Sequence, residues 1–98
     1  MPSYIVLGSY TDQGLRNIKE APSGGYRVEE AVEMVGGRVS AIYLTMGMYD
    51  IIFVAEAPSD EAFATALLTI TTSGDMHTTT LKAFTAEEMT RIIERVRS

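Results

Sequence analysis

The 98 residues include no cysteine and no tryptophan, and only 3 prolines and 3 phenylalanines. Without cysteine, disulfides, thiolate metal ligation and thiol nucleophiles are excluded together, and the fold must rest on its core alone. Cations are scarce as well: 8 Lys and Arg stand against 13 Asp and Glu, a net charge of -5. Such a chain has no cluster of basic side chains with which to displace phosphate counterions, so neither nucleic acid nor an anionic membrane is an expected partner. His77 is the single histidine. With no second His or Cys beside it, a protein-ligated metal is not expected and no cofactor is implied. The opening Met-Pro-Ser-Tyr-Ile-Val-Leu-Gly carries no basic leader, and no apolar run reaches the roughly 20 residues that span a bilayer. The expectation is a soluble, cytoplasmic protein. The length leaves room for one domain, 1–98, and for no cleft between domains.

What is present is a regular alternation of strand and helix signals. Ser3 to Tyr10 is a β-branched and aromatic run that reads as a first strand. Thr11 or Asp12 then caps a helix carrying Leu15 and Ile18 on one face, and Ala21-Pro22-Ser23-Gly24-Gly25 predicts a break and a loop. Val28, Ala31, Val32 and Val35 follow at i, i+3, i+4 and i+7, a helical stripe ended by Gly36-Gly37. Residues 38–46, with Val39, Ala41 and Tyr43 on one side and Ile42, Leu44 and Met46 on the other, and residues 49–56 read as two strands joined by a hairpin turn at Gly47-Met48. Ser59 caps a helix with Phe63, Ala66, Leu67 and Ile70 as its buried stripe, and Gly74 follows its end. The Thr78-Thr79-Thr80 run places the fourth strand, 75–84, at an edge. Thr85-Ala86-Glu87-Glu88 is a capping box that opens a last helix, with Met89, Ile92, Ile93 and Val96 expected inward and Arg91, Arg95 and Arg97 toward its negative end. Six methionines supply adaptable filling.

The resulting order, β-α-β-β-α-β-α, predicts an α+β antiparallel sheet with strands one and three central and helices on one side. The second and third strands are apolar at both parities, whereas a lone antiparallel sheet normally shows water a polar face. Left wet, that face would expose several hundred Å2 of apolar surface, more than soluble monomers commonly carry. A second copy of the chain is the simplest cover, so a homodimer or higher oligomer is expected.

Gly47-Met48-Tyr49-Asp50 is similar to the Gly-Tyr-Asp signature of the GYD domain family, with one residue between Gly and Tyr-Asp. Thr11-Asp12-Gln13-Gly14-Leu15-Arg16-Asn17-Ile18-Lys19, Tyr43-Leu44-Thr45-Met46-Gly47, Glu56-Ala57-Pro58 and Thr78-Thr79-Thr80-Leu81-Lys82-Ala83-Phe84 resemble the same family, so the likeness covers nearly the whole chain. It departs at Gly24-Gly25-Tyr26, which is longer, and at His77, where many relatives carry Arg. The resemblance implies a ferredoxin-like fold of the dimeric α+β barrel type and no particular activity.

The ligand-binding candidates are Tyr49, Asp50, His77, Arg16 and Tyr43. As neighbours on a strand, Tyr49 and Asp50 would point to opposite faces, so only one could reach a cavity beneath the partner. The alternative reading makes Asp50 a hydrogen-bond acceptor for turn amides and Tyr49 an aromatic plug. Arg16, with Asn17 and Lys19, suits an anion site, a solvated helix face or an ion pair with Asp50. Tyr43 suits a cavity wall or interface packing. Two functions fit: an oligomeric module that binds a small apolar or aromatic metabolite or another protein, and a cofactor-independent isomerase or monooxygenase-like enzyme, with catalytic residues unassigned.

Overall fold

The computed structural model describes residues 1–20 and 24–96, with the side chains of 1–19 and 27–96. The expected break at Ala21-Pro22-Ser23 and the position of Arg97 lie outside the described residues. The elements run β1 (Ser3–Tyr10), α1 (Asp12–Glu20), α2 (Gly24–Met34), β2 (Arg38–Leu44), β3 (Ile51–Glu56), α3 (Asp60–Thr71), β4 (Met76–Ala83) and α4 (Ala86–Val96). All strand pairs are antiparallel and their order is β2-β3-β1-β4. This is the expected ferredoxin-like α+β sheet, with β1 and β3 central and the threonine-rich β4 at an edge.

One face of the sheet carries the core. Tyr4 and Val6 of β1, Ile51, Phe53 and Ala55 of β3, and Met76 of β4 are buried against Val28, Ala31 and Val32 of α2 and Phe63, Ala66 and Ile70 of α3. Both helical stripes fall where their periodicity puts them. The rings of Tyr4 and Phe63 stack with centroids 4.1 Å apart, and the Tyr4 hydroxyl donates to Asp60. Burial first, and then that carboxylate, push the Tyr4 phenol up to about 12. The helix ends follow their caps. Ser59 Oγ accepts from the Ala62 amide at 3.1 Å, and Gly36, at φ 84, ends α2.

Five local expectations are corrected. Gly24 and Gly25 lie inside α2 rather than in a loop. Leu15 of α1 is exposed. Val39 does not share a face with Ala41 and Tyr43, because a register shift between Val39 and Ala41 moves it to the Ile42 side, where it packs on the core. The connection from β2 to β3 is a six-residue loop, 45–50, with Gly47 at φ 123, so Tyr49 and Asp50 precede the strand instead of lying in it.

The fifth concerns α4. Its capping box forms as expected, Thr85 N donating to Glu88 at 2.9 Å and Glu88 N to Thr85 Oγ1 at 3.2 Å, and the amide of Thr85 holds the Glu88 carboxyl below its ordinary value. Yet none of its residues is buried, and Met89, Ile92, Ile93 and Val96 are exposed rather than inward. The helix stands off the body: the radius of gyration is 14.9 Å, where a compact chain of this length would have about 13 Å. No helix among the described residues is long and apolar enough to cross a membrane.

Candidate functional site

The helix-free face of the sheet follows directly from strand register. Across β2, β3, β1 and β4, one row reads Tyr43, Ile52, Leu7, Thr79 and the next Ala41, Val54, Ile5, Leu81. The four central positions are therefore all aliphatic, flanked by Tyr43 on one edge and Leu81 on the other. Among the described residues, the helices that bury the core, α2 and α3, lie on the other face, and these four side chains are half-buried. At one end Arg38 pairs with Glu56 at 2.8 Å, and at the other His77 stands opposite Ser9. An apolar centre with polar ends is how protein interfaces are built.

The loop before β3 is held to β1 by its own backbone and by Asp50. The Asp50 amide donates to Gly8 O at 2.8 Å, its carbonyl accepts from Thr45 N at 2.8 Å, and its Oδ2 accepts from Tyr10 N at 2.9 Å. Asp50 thus takes the acceptor part, and the donor it holds is the last amide of β1. Burial, and then the Asp50 charge, raise the Tyr10 phenol. Thr45 Oγ1 donates to Tyr49 O at 2.6 Å, which closes the loop on itself.

The other sequence candidates do not gather around Asp50. His77 is exposed on β4, two strand spacings or about 10 Å from the Asp50 backbone. Tyr43 is exposed on the opposite edge, and Arg16 is exposed on α1. Among the described residues no ion pair joins Arg16 to Asp50, and no group of three His, Cys, Asp or Glu is placed to hold a metal. Tyr43 and His77 share the helix-free face, Asp50 borders it, and Arg16 belongs to the other side of the molecule.

A second surface escaped the sequence. On the helix side, α1, α2, the end of α3 and the start of β4 enclose a cleft of about 240 Å3. Its walls are mainly apolar, from Ile18, Val28, Ala31, Met34, Ile70 and Met76, and Asp75 is its half-buried acid. Asp75 Oδ1 accepts from Asn17 Nδ2 at 2.8 Å and Gln13 Nε2 at 3.0 Å, while Oδ2 accepts from Arg27 Nη1 at 3.3 Å. Its carbonyl accepts from Thr11 N at 3.0 Å. The signal was Gly14. A glycine inside a helix marks a close backbone approach, and a Cβ there would come within 2.0 Å of the Asp75 carbonyl oxygen.

The fold and these surfaces define a class: a ferredoxin-like α+β protein whose core helices, α2 and α3, lie on one face of the sheet. Within that class the chain belongs to the GYD domain family, whose model matches residues 4–93. It is 33% identical over 90 residues to the glutamine synthetase and cystathionine beta-lyase binding protein of Thermus thermophilus, covering 91% of this chain and 95% of that one. Among solved structures it is similar to a feast or famine regulatory protein of M. tuberculosis complexed with L-methionine, at a TM-score of 0.64 and 17% identity. The match takes in 88% of this chain and only 52% of the regulator. It is also similar to 5-chloro-2-hydroxyhydroquinone dehydrochlorinase of Burkholderia phenoliruptrix, at a TM-score of 0.62 and 11% identity, over 87% of this chain and 96% of that enzyme. At these identities the two structures share the fold with this chain.

Proposed function

We propose that this chain is a binding module that works as a homo-oligomer and docks metabolic enzymes as its partners. The observation that carries the first part is the half-buried aliphatic centre formed by Ile5, Leu7, Ile52 and Val54 on the face turned away from α2 and α3. A single layer of helices covers the opposite face, and a second copy placed with the same patch inward gives a self-complementary, two-fold contact. The α4 stripe of Met89, Ile92, Ile93 and Val96, exposed at i, i+3, i+4 and i+7, supplies further apolar area in reach of that copy. At about 25 cal/mol per Å2, several hundred Å2 removed from water in each subunit is enough to outweigh the losses of association.

Docking to enzymes is supported by the Thermus relative, whose name states that it binds glutamine synthetase and cystathionine beta-lyase. The charge of -5 leaves protein and small molecules as the partners that this surface suits. A catalytic reading draws less support. It calls for acid and base groups converging in a cavity, whereas Asp50 is engaged by the Tyr10 amide and His77 lies across two strands from it.

The test is sedimentation of the purified chain together with binding of purified glutamine synthetase and cystathionine β-lyase, followed by interferometry. The expected result is an oligomer that binds at least one of the two enzymes saturably. A monomer that binds neither overturns the reading.

A further inference from the structure

We propose that the cleft between α1, α2, α3 and the start of β4 is a binding site for a compact amine: a small molecule with a hydrocarbon or aromatic body and one ammonium group. The site lies on the helix side of the sheet, so it is independent of the self-association face. Its volume, about 240 Å3, is just below the range of drug-sized pockets and suits a small metabolite.

The walls select the body of the ligand. Ile18, Val28, Ala31, Met34, Ile70 and Met76 offer aliphatic and thioether surface, and the Tyr10 ring adds an aromatic edge. Methionine adapts to irregular shapes, which fits a pocket open to more than one hydrocarbon outline.

Asp75 selects the charge. Its side chain is only 16% exposed, and the amides of Asn17 and Gln13 fix its Oδ1. Its Oδ2 is reached at 3.3 Å by Arg27, whose side chain is 61% exposed. An exposed guanidinium at that distance adds little stability, so an incoming ammonium can displace it without a large loss. Asp75 is therefore the one built acid of the cleft, and Arg27 is its displaceable cation. Glu30 also lines the cleft. An apolar recess with a single preoriented acid matches an alkyl or arylalkyl ammonium ion, and it opposes a carboxylate ligand by repulsion from Asp75 and Glu30. Gly14 keeps this arrangement close, because the backbone of α1 can approach Asp75 only where no Cβ intervenes.

The experiment titrates the full, 15N-labelled chain with phenethylamine, and with phenylacetate and 2-phenylethanol as the matched anionic and neutral probes. Phenethylamine is expected to shift the amides of α1, α2 and Asp75–Met76 saturably, with an affinity about tenfold or more above either control. Asp75→Asn should remove that preference, and Ala31→Leu, which adds volume inside the cleft, should remove binding of all three probes. Ile52→Asp on the opposite face should leave phenethylamine binding unchanged, so loss of self-association and loss of this site are read separately. Phenylacetate binding as well as the amine, saturation confined to the helix-free face, or no saturation by about 10 mM overturns the proposal. Should Asp75→Asn not fold, the three-probe ranking and Ala31→Leu decide the matter.

Discussion

Phe53 and Ile52 are neighbours in β3 and are both large and apolar, yet the first is completely buried under α2 and α3 while the second is half-buried on the face turned away from them. The two sides of one sheet thus have similar composition and opposite surroundings. On the helix side the apolar residues meet periodic stripes, stacked rings and a satisfied Tyr4–Asp60 hydrogen bond. On the other they meet one another across strands and stay half-buried. The difference teaches that apolar alternation specifies where burial is required, while the subunit itself supplies that burial on one side only. On the reading proposed above, association covers the other.

The comparison breaks most sharply at Phe53. Phe53→Ala leaves a cavity at the centre of the core and is expected to cost about 3–5 kcal/mol, a large share of the stability of a domain this small. Denaturant titration at a concentration where the chain is monomeric measures it. Ile52→Ala under the same conditions should cost about 1–2 kcal/mol, since its half-buried side chain gives up less cover than a completely buried one. Equal losses for the two would erase the distinction between the faces.

Asp50 sits where the faces meet, and Asp50→Ala removes the acceptor of the Tyr10 amide. The expected loss is about 1–3 kcal/mol, again by denaturant titration, with Asp50→Asn recovering part of it. Thr85→Ala tests the helix that belongs to neither face. Loss of its cap should lower α4 stability by about 1 kcal/mol, read as faster amide exchange in residues 86–96 with the core unaffected.

A last effect is read from pH. The Tyr4 pKa lies at about 12 in the fold against an ordinary 10.0. Its contribution is complete below pH 10 and is lost as pH rises toward the folded value, because the unfolded chain releases the proton first. Stability should therefore fall with pH across that window, and Tyr4→Phe should flatten the slope. At the acid end the sign reverses. The Tyr4 hydroxyl, and then Lys82, hold the Asp60 carboxyl below its ordinary value, so its contribution is present above that value and fades as pH falls through the lowered one.

Much of this fold was legible because its signals are local and periodic. The stripes Val28-Ala31-Val32 and Phe63-Ala66-Ile70, the Ser59 and Thr85 caps and the edge threonines of β4 each state their role within a few residues. What escaped depends on distant partners. The shift beside Ser40 reverses the side of Val39, and only the pairing with β3 reveals it. The apolar stripe of α4 was legible as a stripe, but nothing in its spacing tells whether its own body or another molecule covers it. Asp50 as an acceptor was among the readings of the sequence, although its place before the strand was not. The cleft around Asp75 was the hardest to see, since it joins Gln13, Asn17 and Arg27 to a residue about fifty to sixty positions away.

Sedimentation equilibrium of the unmodified chain beside Ile52→Asp tests the central claim most directly. The account predicts a dimer or larger species for the unmodified chain at micromolar concentration, and a monomer with an unchanged circular dichroism spectrum for the variant. An unmodified chain that sediments as a monomer across the range would contradict it.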